Sequence, residues 1–194
     1  MTVSEAPTTA QSAATLAWSR RVRRIGGFIQ VGFAGFWLIR GSTTIHGGAG
    51  FALAASSGVV VALVLGYGLR ATSGVAPRPT GPEGKRIERA VTIATIVQLI
   101  ASFAAPAIVV ASGHSDWVLP SIAITIGPLL LWLDHRIGLP RYRPAGCALI
   151  VGPVVLVVTL SGTPLIATTG IGAGALLLGI AAAGFRDLAR THLG

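Results

Sequence analysis

The chain has 194 residues, 52% of them hydrophobic and only 11% charged, with 26 glycines. A soluble domain carries about 25% charged residues, and a disordered chain combines low hydrophobicity with high net charge, so both classes are excluded and a polytopic helical membrane protein remains. The formal charge of +9, from 15 Lys and Arg against 6 Asp and Glu, sits between apolar runs. A basic excess placed that way reads as membrane topology, and no nucleic-acid partner is expected.

Residues 1–24 are expected to form a disordered basic cytoplasmic tail: the first 19 are mostly small and polar, and Arg20, Arg21, Arg23 and Arg24 follow. This order resembles the n-region and h-region of a secretory signal, but no convincing small-residue cleavage site follows, so the first apolar run reads as an uncleaved signal anchor. Six apolar segments are predicted as spans of an all-α bundle: 25–43, 49–69, 90–111, 117–133, 145–160 and 164–185. At 1.5 Å rise per residue the longer four cross a slab of roughly 30 Å comfortably. The fourth and fifth span if flanking Trp, Tyr and Arg reach the interface or the bilayer thins. A period-2 pattern is missing, which excludes a transmembrane β-barrel. Residues 186–194 are expected as a cytoplasmic C-terminal tail. The Pro/Gly-rich stretch ATSGVAPRPTGPEGK between the second and third segments reads as a flexible connection, not a domain boundary.

Six spans place the N-terminus, the second and fourth loops and the C-terminus on one side. That side holds 14 of the 15 basic residues, leaving only Arg40 opposite. Cytoplasmic loops collect Lys and Arg, so both termini are expected in the cytoplasm, and the membrane in question as a bacterial cytoplasmic membrane. The basic residues there would attract anionic lipid headgroups.

Ionisable residues are missing from the middle of every segment, which argues against ion-coupled transport through a buried carboxylate and against an intramembrane enzyme. The interior polar residues are neutral. Gln30 and Gln98 are the sharpest, because an amide in hydrocarbon needs partners for two donors and an acceptor. Thr95, Gln98 and Ser102 share one helix face at i, i+3 and i+7. Two readings stay open for Gln30, Thr95, Gln98 and Ser102: hydrogen bonds between helices, or a polar site touching a solute.

Gly127-Pro128 and Gly152-Pro153 lie near the middle of the fourth and fifth segments, where proline removes an N–H and is expected to kink the helix. The pairs either shape a binding site or merely pack. Gly170, Gly172 and Gly174 contain a GxxxG spacing that lets helices approach closely, within the bundle or across a homo-oligomer. Cys147 has no partner at disulfide or metal-ligand spacing and reads as an apolar filler.

On the outer side of the membrane, Arg40, His46, His114 and Asp116 are the only ionisable groups. They read as solvated loop residues, with His114 and Asp116 alternatively capping adjacent helix ends, and no metal site or cofactor is expected. On the cytoplasmic side Asp134 is the acid closest to hydrocarbon. Its expected partner is Arg136, or an arginine across the short loop, in an interfacial pair or a gate.

The stretch from Ser112 to Leu129, with His114, Asp116, Pro120 and Gly127, followed by Leu139-Pro-Arg-Tyr142, resembles a group of small bacterial integral membrane proteins of uncharacterised function. The resemblance covers about 30 residues and implies no activity. The expected function is a small permease or channel-like protein for a neutral or weakly charged solute, motivated by the Gln98 face and the Gly-Pro pairs. The rival is a non-transporting membrane subunit or regulator acting through helix-helix contacts.

Overall fold

A computed structural model describes residues 9–72 and 82–190. All of its regular structure is helical: α1 (Thr9–Ser42), α2 (Gly48–Ala71), α3 (Pro82–Ala111), a single 3-10 turn (Ser115–Trp117), α4 (Val118–Ile137), α5 (Tyr142–Thr159) and α6 (Gly162–Arg190). The Pro/Gly-rich connection falls largely at 73–81, and the extreme termini at 1–8 and 191–194, all outside the described residues.

Five of the helices are long and apolar enough to cross a membrane: α2, α3 from Gly84, α4 with its preceding turn, α5 and α6. The first predicted segment is not among them, because Gln30, Arg40 and five glycines dilute the apolar stretch of α1. Burial explains how α1 tolerates that dilution. Val31, Ala34, Trp37 and Leu38 are all buried against other helices, and a face that meets protein need not be lipid-soluble.

The chain is organised around two close helix pairs. In the first, α1 and α6 run antiparallel, with Gly41 beside Gly170, Leu38 beside Gly174 and Gly27 beside Phe185. A β-carbon at Gly170 would stand 2.8 Å from the Gly41 Cα, so only glycine permits this crossing. In the second pair, α4 meets α5 where a β-carbon at Gly127 would lie 2.8 Å from the Gly146 carbonyl. α2 flanks the first pair and α3 the second. Half of the apolar window of α6 is buried, against 11% for α2 and none for α3. The bundle therefore presents its most apolar faces outward, including Phe51, Leu63, Phe103 and Ile108. That is the arrangement a hydrocarbon solvent selects, since lipid tails are as apolar as these side chains.

The ends of the chain differ from the expected tails. α1 begins at Thr9, and Trp18 and Val22, one turn apart, are both buried. Four alanines between residues 10 and 17 favour helix, and the Trp18 indole N–H donates to the Gly84 carbonyl of α3 at 3.0 Å. The expected disorder of 1–24 is thus corrected for residues 9–24. At the other terminus, α6 continues to Arg190 and buries Leu188, so residues 186–190 are helical. α4 and α5 run through Pro128 and Pro153 without interruption, as α3 does through Pro106. α4 stops at Gly138, whose positive φ of 70° closes the helix with a bond from its N–H to the Asp134 carbonyl.

Candidate functional site

Three polar assemblies punctuate the apolar bundle. The first lies between α3 and α4. The Gln98 amide donates to Ser102 Oγ at 2.9 Å and to Thr125 Oγ1 at 3.2 Å. The two hydroxyls are 3.2 Å apart, and Thr125 donates to the Ile122 carbonyl at 2.8 Å. Since a hydroxyl has one proton, Ser102 is left as the donor to Thr125, and the group forms a closed chain of hydrogen bonds. Thr95, predicted on the same face, takes no part: it is exposed and bonds back to the Val91 carbonyl of its own helix. Thr125, on a different element, is the member the helical spacing of α3 could not supply.

The second assembly lines the inner faces of α1 and α6. Gln30 is 9% exposed, Thr169 2% and Trp37 fully buried. Gln30 Oε1, Trp37 Nε1 and Thr169 Oγ1 find no hydrogen-bond partner among the described residues. The Gln30 side chain faces the Tyr142 hydroxyl at the start of α5. Gln30 therefore sits apart from Thr95, Gln98 and Ser102 and belongs to a different site.

The third assembly is at the end where the basic residues gather. Asp187 of α6 accepts a hydrogen bond from Arg141 and faces Arg23 of α1 at 3.8 Å, both through Oδ2. Arg141 also donates to the Ala183 carbonyl at 3.1 Å. Together with Tyr142, Ile180 and Gly184 these residues line a cavity of about 130 Å³. Asp134 and Arg136 were the charges singled out at this end. The structure joins neither to the other: Arg136 is exposed, Asp134 half-buried, and among the described residues no ion pair links them. The hub is Asp187 instead, whose partners lie 46 and 164 residues away, beyond any local motif.

At the opposite end, Asp116 Oδ2 accepts the Gly162 N–H at 3.0 Å and so caps the start of α6. The His114 ring stacks on Trp117 with centroids 4.2 Å apart. Both side chains thus have structural uses, and among the described residues no group of three His, Cys, Asp or Glu is placed to hold a metal. Cys147 is exposed on α5.

The glycine motifs resolve into contacts. Gly170 and Gly174 close the α1–α6 crossing, Gly127 the α4–α5 crossing, whereas Gly152 and Gly172 meet nothing within 4 Å of where a β-carbon would stand. Gly127 was read as half of a kink. Its visible use is to let α5 approach.

Comparison with protein-family models, with curated proteins and with solved structures returns no match to this chain. The arrangement must speak for itself. Chemically, it offers an internally hydrogen-bonded polar seam, a set of buried unpartnered atoms and a charged cavity at the basic end.

Proposed function

We propose that this chain is a six-span protein with both termini cytoplasmic, acting as a membrane subunit or regulator through its helix faces and its basic end, not as a conduit. The observation that carries the reading is the closed hydrogen-bond chain of Gln98, Ser102 and Thr125. A polar stripe that lines a pore must leave donors and acceptors for the solute. This one uses the donors of Gln98, Ser102 and Thr125 within the α3–α4 seam.

Support for a sixth span comes from the α1–α6 register. Gly27 to Gly41 of α1 lies alongside Phe185 to Gly170 of α6, about 21 Å of shared length at 1.5 Å per residue, so α1 keeps company with an apolar helix through most of its passage. The antiparallel pairing sets the start of α1 and the end of α6 at one end, and the concentration of Arg there supports the cytoplasmic assignment. A bacterial cytoplasmic membrane remains the proposed location, with anionic headgroups against the basic end.

A second reading, the small permease for a neutral or weakly charged solute, is favoured by one observation. Gln30, Trp37 and Thr169 leave three buried polar atoms unpartnered along the α1–α6 seam, and such atoms are normally satisfied by protein or water. A hydrated thread there would give a solute a path.

Flux separates the two. The purified chain is reconstituted into liposomes, and the swelling rates for water, glycerol and urea are compared with those of protein-free liposomes. Equal rates are expected. Accelerated entry of any of these would establish the permease reading instead.

A further inference from the structure

We infer that the cavity at the basic end is a binding site for a single phosphate group, held between the guanidinium groups of Arg23 and Arg141 and the hydroxyl of Tyr142. The proposal deepens the reading of this end as facing anionic headgroups. It depends on that reading only for the source of the phosphate.

Charge is the first argument. Two guanidiniums face one carboxylate through a single oxygen, Asp187 Oδ2, which leaves the cavity with a net positive charge. Arg141 is hydrogen-bonded to that oxygen, but Arg23 stands 3.8 Å away, beyond hydrogen-bonding distance. Among the described residues the planar donor fork of Arg23 makes no hydrogen bond, although its side chain is only 25% exposed. A guanidinium fork matches phosphate oxygens two at a time.

The phenol is the second argument. Tyr142 is buried at 5% exposure and lines the cavity. Its hydroxyl faces the Gln30 side chain and the charge of Arg23, and a phenol carries a proton to donate. Three donor groups from α1, the α4–α5 loop and α5 therefore converge. The unesterified oxygens of a phosphate each accept more than one hydrogen bond, so one phosphate group can take all three.

Space is the third. The cavity of about 130 Å³ compares with the roughly 10–15 Å³ that one water needs. Gly184 lines it, and a β-carbon there would meet only the Arg23 carbonyl, at 4.0 Å. Arg23 lies two residues before the first apolar run, Arg141 precedes the fifth and Asp187 follows the sixth, which sets the cavity at headgroup depth. The phosphate is accordingly either that of an anionic lipid or a soluble one.

The test uses the full chain purified in detergent, with phosphatidylglycerol and inorganic phosphate as separate probes. Native mass spectrometry counts retained phosphatidylglycerol, and calorimetry measures binding of phosphate in lipid-free micelles. Saturable 1:1 binding of at least one probe is expected. If added phosphate displaces the lipid, the site takes a headgroup; if phosphate binds and the lipid does not, it serves a soluble anion. R23Q and R141Q should weaken the bound probe by at least about tenfold, while R143Q, which removes an equal charge from an exposed position, should not. G184L should block binding with the charge unchanged. D187N should tighten binding, because the competing carboxylate is gone, and a misfolded variant could not produce that gain. Equal loss in R143Q and R23Q, weakened binding in D187N, or no saturable binding of either probe would overturn the proposal.

Discussion

Gly41 of α1 and Gly170 of α6 meet so closely that a methyl added to Gly170 would stand 2.8 Å from the Gly41 Cα, and one added to Gly41 would stand 2.8 Å from the Ile171 backbone nitrogen. Neither neighbour is a flexible side chain, so neither can yield without moving a helix. Substituting either glycine by alanine should destabilise the bundle by about 1–3 kcal/mol, the usual range for overpacking. G172A lies two residues from Gly170 and meets nothing within 4 Å, so it should not destabilise, and gains at most about 1 kcal/mol of helix propensity. Thermal melts of the three variants in one detergent compare them directly. Equal behaviour of G170A and G172A would show that the crossing is not this close.

The α3–α4 seam makes a prediction about coupling. Hydrogen bonds between membrane helices are worth about 0.6 kcal/mol on average and up to about 1.7. Q98A and T125A should each fall in or near that range, and the double variant should lose less than their sum, because the two side chains share one bond. A double-mutant cycle on reversible unfolding in mixed micelles measures the difference. Strict additivity would mean that the amide and the hydroxyl act independently.

Much of this arrangement is legible in the sequence, and the failures have physical causes. Apolar runs and the basic asymmetry reveal a helical membrane chain, because bilayer thickness constrains helix length and composition one residue at a time. The i, i+3, i+7 spacing correctly joins Gln98 to Ser102 but wrongly adds Thr95. Spacing reports a face, and the angular position of α4 decides which part of it is covered. Asp187 was passed over as a residue of a tail, since its partners Arg23 and Arg141 come from distant elements. Trp18 was lost in a polar, small-residue stretch because its anchor, the Gly84 carbonyl, is a backbone atom without sequence signature.

Trp18 therefore gives a third prediction. It is 5% exposed and ties α1 to the beginning of α3. W18F keeps most of the buried ring and removes the N–H donor, for a loss of about 1 kcal/mol. W18A should cost about 3 kcal/mol or more. Amide hydrogen exchange at residues 84–89 should accelerate in W18A and much less in W18F. Unchanged exchange in W18A would detach the α1 extension from α3.

At the far end, Asp116 caps α6 from outside that helix. D116A should destabilise by about 1 kcal/mol, typical of a lost N-cap, and H114A should leave the first turn of α6 unchanged. Exchange of the Gly162 amide reports on it directly. The same rate in D116A and the unaltered chain would rule out the cap.

Closed α3–α4 and α1–α6 seams imply a dry interior, and labelling from the aqueous side tests that most directly. With Cys147, the one cysteine, replaced by serine, single cysteines are introduced at 98, 102, 125, 30 and 169, with exposed Arg143 as the accessible control. The chain is held in liposomes and treated with a membrane-impermeant maleimide applied on each side. Rapid labelling at 143 and protection at the other five positions, from both sides, is the predicted result. Labelling at 98, 102 and 125 would contradict the closed α3–α4 seam, and labelling at 30 and 169 would open the α1–α6 seam to water and give the chain a conduit after all.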